Sequence, residues 1–187
     1  MKTIIDCKSG PALPPTALQT AAYYLLDSPV EYEETGHRYR FNGVTVPSVT
    51  QILLSEGFID ATWYTEMGRS RGSYVHEARH LDDIGQLDET SIDPEIAPYL
   101  EAWRLFKRET GFEVSTSEVP MASGRYLYAG RPDVTGIFKS GSVIKRAAVE
   151  LHNDGKYKLV PYVNERDITL WLSILSIYNW KKNNLRR

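Results

Sequence analysis

One cysteine, Cys7, is all the thiol the chain contains. A lone thiol excludes an internal disulfide framework and a four-thiolate zinc or iron–sulfur site built by this chain alone, and it fits a reducing compartment. Charge of one sign is equally scarce: 22 Lys and Arg against 24 Asp and Glu leave a formal charge of −2. With no bulk basic field to hold nucleic acid, any phosphate contact has to be local. No apolar run approaches the roughly 18 residues of a membrane span. The pair Ile4-Ile5 is followed at once by Asp6 and Lys8, which does not make the apolar region of a secretory signal. Internal repeats and low-complexity tracts are missing as well. These absences lead to the expectation of a soluble cytoplasmic protein.

What is present is enough apolar material, 42% of 187 residues, for one substantial core and too little length for two comfortable domains. One domain over 1–187 is expected. Residues 2–8 are rich in β-branched side chains and end at Ser9-Gly10-Pro11, which predicts a short strand. Thr16 is placed to cap a helix from Ala17 to about Leu26. Residues 37–46 alternate around Asn42-Gly43, a hairpin signal, and Pro47-Ser48 opens a helix through Val49, Ile52, Leu53 and Leu54. Helices are expected over 62–81, despite Gly68 and Gly72, and over 94–110. β structure is expected over 113–138, then a hairpin over 146–163 turning at Asn153-Asp154-Gly155. A final helix over 165–183 is expected to supply Ile168, Leu172, Leu175, Ile177, Tyr178 and Trp180 to a core. The sum is an α/β or α+β fold, a mixed sheet flanked by helices.

Alternation along the first strand puts Asp6 and Lys8 on one face and Cys7 on the other. A carboxylate and an ammonium so placed can share a site, the first holding a hard divalent cation and the second orienting water or meeting charge on a phosphate. Taken alone, the pattern also fits a surface ion pair. Gln19 and Tyr23, four apart, project from one face of the following helix. Gly130-Arg131-Pro132-Asp133 leads into what reads as a buried strand through Val134 and Ile137, with Asp133 expected at the sheet edge near a turn. Arg71-Gly72-Ser73-Tyr74-Val75-His76 lies on a helix, and a neutral imidazole is a capable metal ligand, although a lone His is more often packed or solvated.

Together these segments resemble the PD-(D/E)XK nucleases, in particular their RecB-like branch of phage and CRISPR-associated exonucleases. Gly72-x-x-x-His76, Gly130-x-x-Asp133, Asp6-x-Lys8 and Gln19-x-x-x-Tyr23 match that branch's motifs, and His37-x-Tyr39 and Pro47-Ser48-Val49-Thr50-x-Ile52-Leu53 are similar to the opening of its phage members. The resemblance covers nearly the whole chain and departs in one respect, the order. Asp-x-Lys and Gln-x-x-x-Tyr follow the Gly-x-x-Asp strand in the family, whereas here residues 1–30 precede everything. Moved to follow about Ser142, the segment restores every motif to its place. The chain reads as a segment transposition, akin to a circular permutation, natural or engineered, with 31–187 the remainder of a restriction-endonuclease-like fold. Segment exchange between two copies would satisfy the same contacts.

By that resemblance Asp133 and Asp6 are ligands of Mg²⁺ or Mn²⁺, with the Cys7 carbonyl a further ligand. His76 adds a nitrogen, which suits Mn²⁺ better than Mg²⁺. Glu118 matches the family's upstream glutamate loosely, and a solvated strand residue fits as well. Lys8 positions the attacking water, and Gln19 with Tyr23 supports the substrate backbone or the loop at the metal. Arg71, Arg125 and Arg131 are candidate phosphate contacts, and Tyr126 and Tyr128 candidate stacking platforms for unpaired bases. The implied activity is phosphodiester hydrolysis in DNA, single-stranded or at duplex ends, by an exonuclease. Two rivals remain: a nuclease-fold binding module without turnover, and an engineered rearrangement whose activity is incidental.

Overall fold

The structure, a computed structural model, describes residues 2–60, 65–139, 141 and 143–185. It is mixed α and β, with eleven strands and five α-helices among the described residues. The chain forms two compact units: Met1–Leu13, Thr62–Val119 and Pro132–Val163 make the first, and Pro14–Ala61, Pro120–Arg131 and Asn164–Arg187 the second.

The first unit is built on strands β1 (Thr3–Lys8), β6 (Phe112–Ser117), β9 (Val134–Phe138), β10 (Arg146–Leu151) and β11 (Tyr157–Pro161), in sheet order β11-β10-β1-β9-β6. β1 is antiparallel to β9 and parallel to β10. The first strand of the chain thus lies between two strands more than 125 residues further on. The junction near Ser142 falls outside the described residues. Because β1 is interior, nearly all of it is buried, and Ile5 and Cys7 enter a core with Phe112, Val134, Val149 and Leu151. Helices α3 (Glu66–Asp83) and α4 (Ala97–Thr110) cover that core, through Val75 on α3 and Tyr99, Trp103 and Phe106 on α4. The Thr62 start expected for α3 lies outside the described residues. The observed cap is Thr65, whose hydroxyl accepts from the Gly68 amide at 3.1 Å. The helix runs unbroken through Gly68 and Gly72.

β9 differs from expectation in two ways. It is an interior strand, so Asp133 sits at a strand end and not at the sheet edge, and Ile137 is 41% exposed. Gly136 is forced by close approach: a Cβ there would lie 2.2 Å from the Glu113 carbonyl oxygen, beside a register shift in β6 between Val114 and Thr116.

The second unit holds α1 (Pro14–Tyr24), α2 (Val49–Ser55) and α5 (Arg166–Asn184), with two three-stranded sheets. One is β2 (Ser28–Pro29), β7 (Met121–Ser123) and β8 (Tyr128–Gly130), and the other β3 (Glu31–Glu33), β4 (Arg38–Phe41) and β5 (Val44–Val46). The β4–β5 turn has Asn42 and Gly43 at φ 50° and 77°, the left-handed pair a two-residue hairpin demands. Ser48 caps α2 in a capping box with Gln51. α1 begins at Pro14, earlier than Ala17, because proline suits a first helical turn, where its missing N–H costs nothing; Thr16 is buried instead of capping. On α5 the core residues are Trp171, Ile174 and Leu175, whereas Ile177 and Trp180 are 50% and 59% exposed.

Candidate metal centre

Strand register explains how three carboxylates from distant parts of the sequence meet. β1 pairs with β9 up to Ile5 opposite Val134, so the next level brings Asp6 beside Asp133. β6 pairs with β9 up to Ser117 opposite Val134, so the next level brings Glu118 beside Asp133 as well. Asp6, Asp133 and Glu118 therefore form a row across three adjacent strands where the ladders end. There the chain is held by polar groups of the site itself: the Cys7 amide donates to Asp133 Oδ2 at 2.7 Å, and the Glu118 amide to the Asp133 carbonyl at 3.0 Å.

Helix α3 brings His76 to this row. Its Nδ1 lies 3.2 Å from Glu118 Oε1 and 3.7 Å from Asp133 Oδ2, and ligand atoms of His76, Glu118 and Asp133 all lie within 4.8 Å of one another. The Asp133 charge raises the His76 pKa above its ordinary value, with the Glu118 hydrogen bond adding to it and burial working against both. Glu118 is thus a half-buried member of the cluster and not a solvated strand residue.

Asp6 and Lys8 share a face of β1, with Lys8 Nζ 2.9 Å from Asp6 Oδ2. Asp6 is 1% exposed, and neither of its oxygens receives a well-directed hydrogen bond among the described residues. Burial pushes its carboxyl up to about 7, against the pull of Lys8 and with the help of Asp133. Burial alone would lower the Lys8 ammonium, but Asp6 and Asp133 outweigh it and hold the amine above its ordinary range. Cys7 points to the other face, where burial raises its thiol pKa well above the usual value and makes it inert.

A buried carboxylate whose near cation is the Lys8 ammonium, beside two more carboxylates and an imidazole, is costly by itself. The carboxylates and the imidazole are the donor set that a hard divalent cation with some tolerance for nitrogen takes, so the residues fit Mg²⁺ or Mn²⁺.

Other sequence candidates fare differently. Gln19 and Tyr23 belong to the second unit, where Gln19 Nε2 donates to the Tyr23 hydroxyl at 2.9 Å. Gly130 packs there so closely that a Cβ would stand 2.6 Å from a Tyr23 ring carbon. Tyr128 cannot be a stacking platform: it is fully buried, its ring packs edge-on to Trp171, and its hydroxyl donates to the Ala22 carbonyl. Arg71 is exposed, with its guanidinium 5.9 Å from the centre of the Tyr99 ring. Arg125 lies over Tyr126 and Arg131 over Tyr32 in the second unit. Sequence reading missed Arg79, buried behind the row. The available signal was its spacing, since Val75, Arg79 and Asp83 recur every four residues on the inward face of α3, where a charge needs a partner.

No family model matches the chain, and no curated protein is detectably similar to it.

Proposed function

We propose that this chain is a metal-dependent deoxyribonuclease of the PD-(D/E)XK class, RecB-like, with its Asp-x-Lys strand transposed ahead of the other motifs. The observation that carries the reading is the row of Asp6, Asp133 and Glu118 closed by His76 and Lys8, five residues from four separate stretches of sequence that meet at one sheet end.

Asp6, Asp133, Glu118 and His76 would hold Mg²⁺ or Mn²⁺. When bound, the cation lowers the pKa of water and offsets charge on the scissile phosphate. Lys8 acts as a cation and donor: held protonated by two carboxylates, it gives a hydrogen bond to a phosphate oxygen or to the attacking water, and it is no base. His76 must give up its proton to offer a lone pair, so metal uptake is a proton-releasing event. Arg71, exposed on the helix that carries His76, is the phosphate contact this reading keeps in the first unit.

The test is cleavage of end-labelled linear and closed-circular DNA in Mn²⁺, Mg²⁺ or EDTA, by the unaltered chain and by Lys8→Ala. The reading predicts metal-dependent loss of linear DNA that falls about a hundredfold or more in the variant. Survival of the circles would assign a requirement for ends. Absence of cleavage by the folded protein in every metal sinks the enzyme and leaves a binding module.

A further inference from the structure

Arg79 has no part in the chemistry above, yet it is the best-connected side chain behind the row. It is 0% exposed, so it cannot meet a substrate phosphate. Its Nη1 donates to Asp83 Oδ2 at 3.0 Å and to Ser117 Oγ at 3.2 Å; its Nη2 donates to Glu118 Oε1 at 2.6 Å and to the Asp133 carbonyl at 3.2 Å. The far end is anchored in turn, because Asp83 accepts from Trp103 Nε1 and from Lys107 Nζ, both at 2.8 Å, and the guanidinium carbon lies 5.6 Å from the centre of the Trp103 ring.

A second, independent feature lies at the other end of these bonds. Glu118 has φ +53°, a left-handed backbone that a side-chain-bearing residue adopts only at a cost. Such a conformation persists where its surroundings over-determine it. The Glu118 amide donates to the same Asp133 carbonyl that accepts from Arg79, and the Glu118 carboxylate takes the Arg79 hydrogen bond, so guanidinium, glutamate and carbonyl close a ring.

We propose that Arg79 is the positioning residue of the centre: its planar fork holds Glu118 in its left-handed conformation and so aims the Glu118 and Asp133 carboxylates at one divalent cation. The inference rests on the metal-centre reading above and adds to it what keeps the ligands in place. A fork is required, since one lysine ammonium cannot span the Asp83–Ser117 side and the Glu118–Asp133 side together.

The sign of the effect separates positioning from bulk support. A positive charge beside a cation site opposes the cation, so if Arg79 only braced α3 against the sheet, its removal would leave Mn²⁺ binding unchanged or tighten it. The experiment is Mn²⁺ titration of the full chain, followed by electron paramagnetic resonance, for the unaltered protein, Arg79→Lys, and the double variant Arg79→Met with Asp83→Asn. Circular dichroism checks the fold of each. The double variant removes both members of a buried ion pair, so it leaves no orphaned Asp83 carboxylate and decides the matter if Arg79→Lys does not fold. Binding weakened about tenfold or more in a folded variant is expected. Equal or tighter Mn²⁺ binding in a folded variant overturns the assignment and leaves the metal centre standing, and full rescue by lysine overturns it too. An unaltered chain that takes up no Mn²⁺ sinks the metal centre and this inference together.

Discussion

Asp6 sits in a strand whose other residues are those of a sheet interior, and its burial is a cost that the Lys8 ammonium offsets in part and that protonation or a metal cation relieves further. Its carboxyl is pushed up to about 7 in the folded chain, so the folded state holds this proton more tightly than the unfolded one. The stabilisation that protonation brings is complete below the ordinary carboxylate range and is lost as pH rises through about 7. His76, also raised, contributes with the same sign. The metal-free protein should therefore lose stability from pH 5 to pH 8, on the order of a few kcal/mol, and melt at progressively lower temperature. Added Mn²⁺ should cancel the fall, since it replaces the proton. Melting curves at four pH values, with EDTA or Mn²⁺, check this, and a metal-free profile that rises with pH contradicts it. Asp6, Lys8, His76 and Asp133 stood out in the sequence because their residue types and spacings resemble a motif set, and the structure places them at one end of the sheet. Arg79 did not stand out, because nothing in a sequence distinguishes a buried arginine from an exposed one until its helix face is known. Tyr128 misled for the converse reason: an aromatic in a basic, glycine-containing segment also suits a core.

At the scale of elements, hairpin turns and the Pro47-Ser48 helix start carried furthest. Asn42-Gly43, Ser48 ahead of α2, and the turn at 153–155 each act within a few residues, so they survive tertiary context, whereas Thr16, the one cap read from the sequence, is buried. Harder to read were choices made by packing, such as which face of α5 is buried and which strands of 113–138 share a sheet. β6 and β9 pair in one sheet while β7 and β8, between them in sequence, belong to another. The close pairing of β9 with β6 makes a sharp prediction at Gly136. Gly136→Ala would drive a Cβ against backbone at 2.2 Å, which cannot swing aside as a side chain can. A loss of about 1–3 kcal/mol or more in urea unfolding is expected. A loss below about 0.5 kcal/mol would mean that the bulge in β6 absorbs the methyl group.

At the scale of the whole molecule, the consequential fact is that the first strand of the chain lies in the interior of a five-stranded sheet, paired on both sides. Here the amides of Ile4, Ile5 and Cys7 should exchange as slowly as those of Ala148 and Val149, within about tenfold, and hydrogen exchange read by NMR settles the point. Fast exchange at β1 would mean that the strand opens on its own and that the site is assembled only part of the time. The sheet position of β1 was not legible in its own residues, because strand propensity says nothing of which neighbours a strand takes. The account stands most directly on one comparison, Mn²⁺-dependent cleavage of linear DNA by the unaltered chain and by Asp6→Asn, which keeps the shape of the side chain and removes its charge. It predicts cleavage by the first and a loss of about a hundredfold or more in the second with the fold intact. Equal rates for the two, or no cleavage by either, would contradict it.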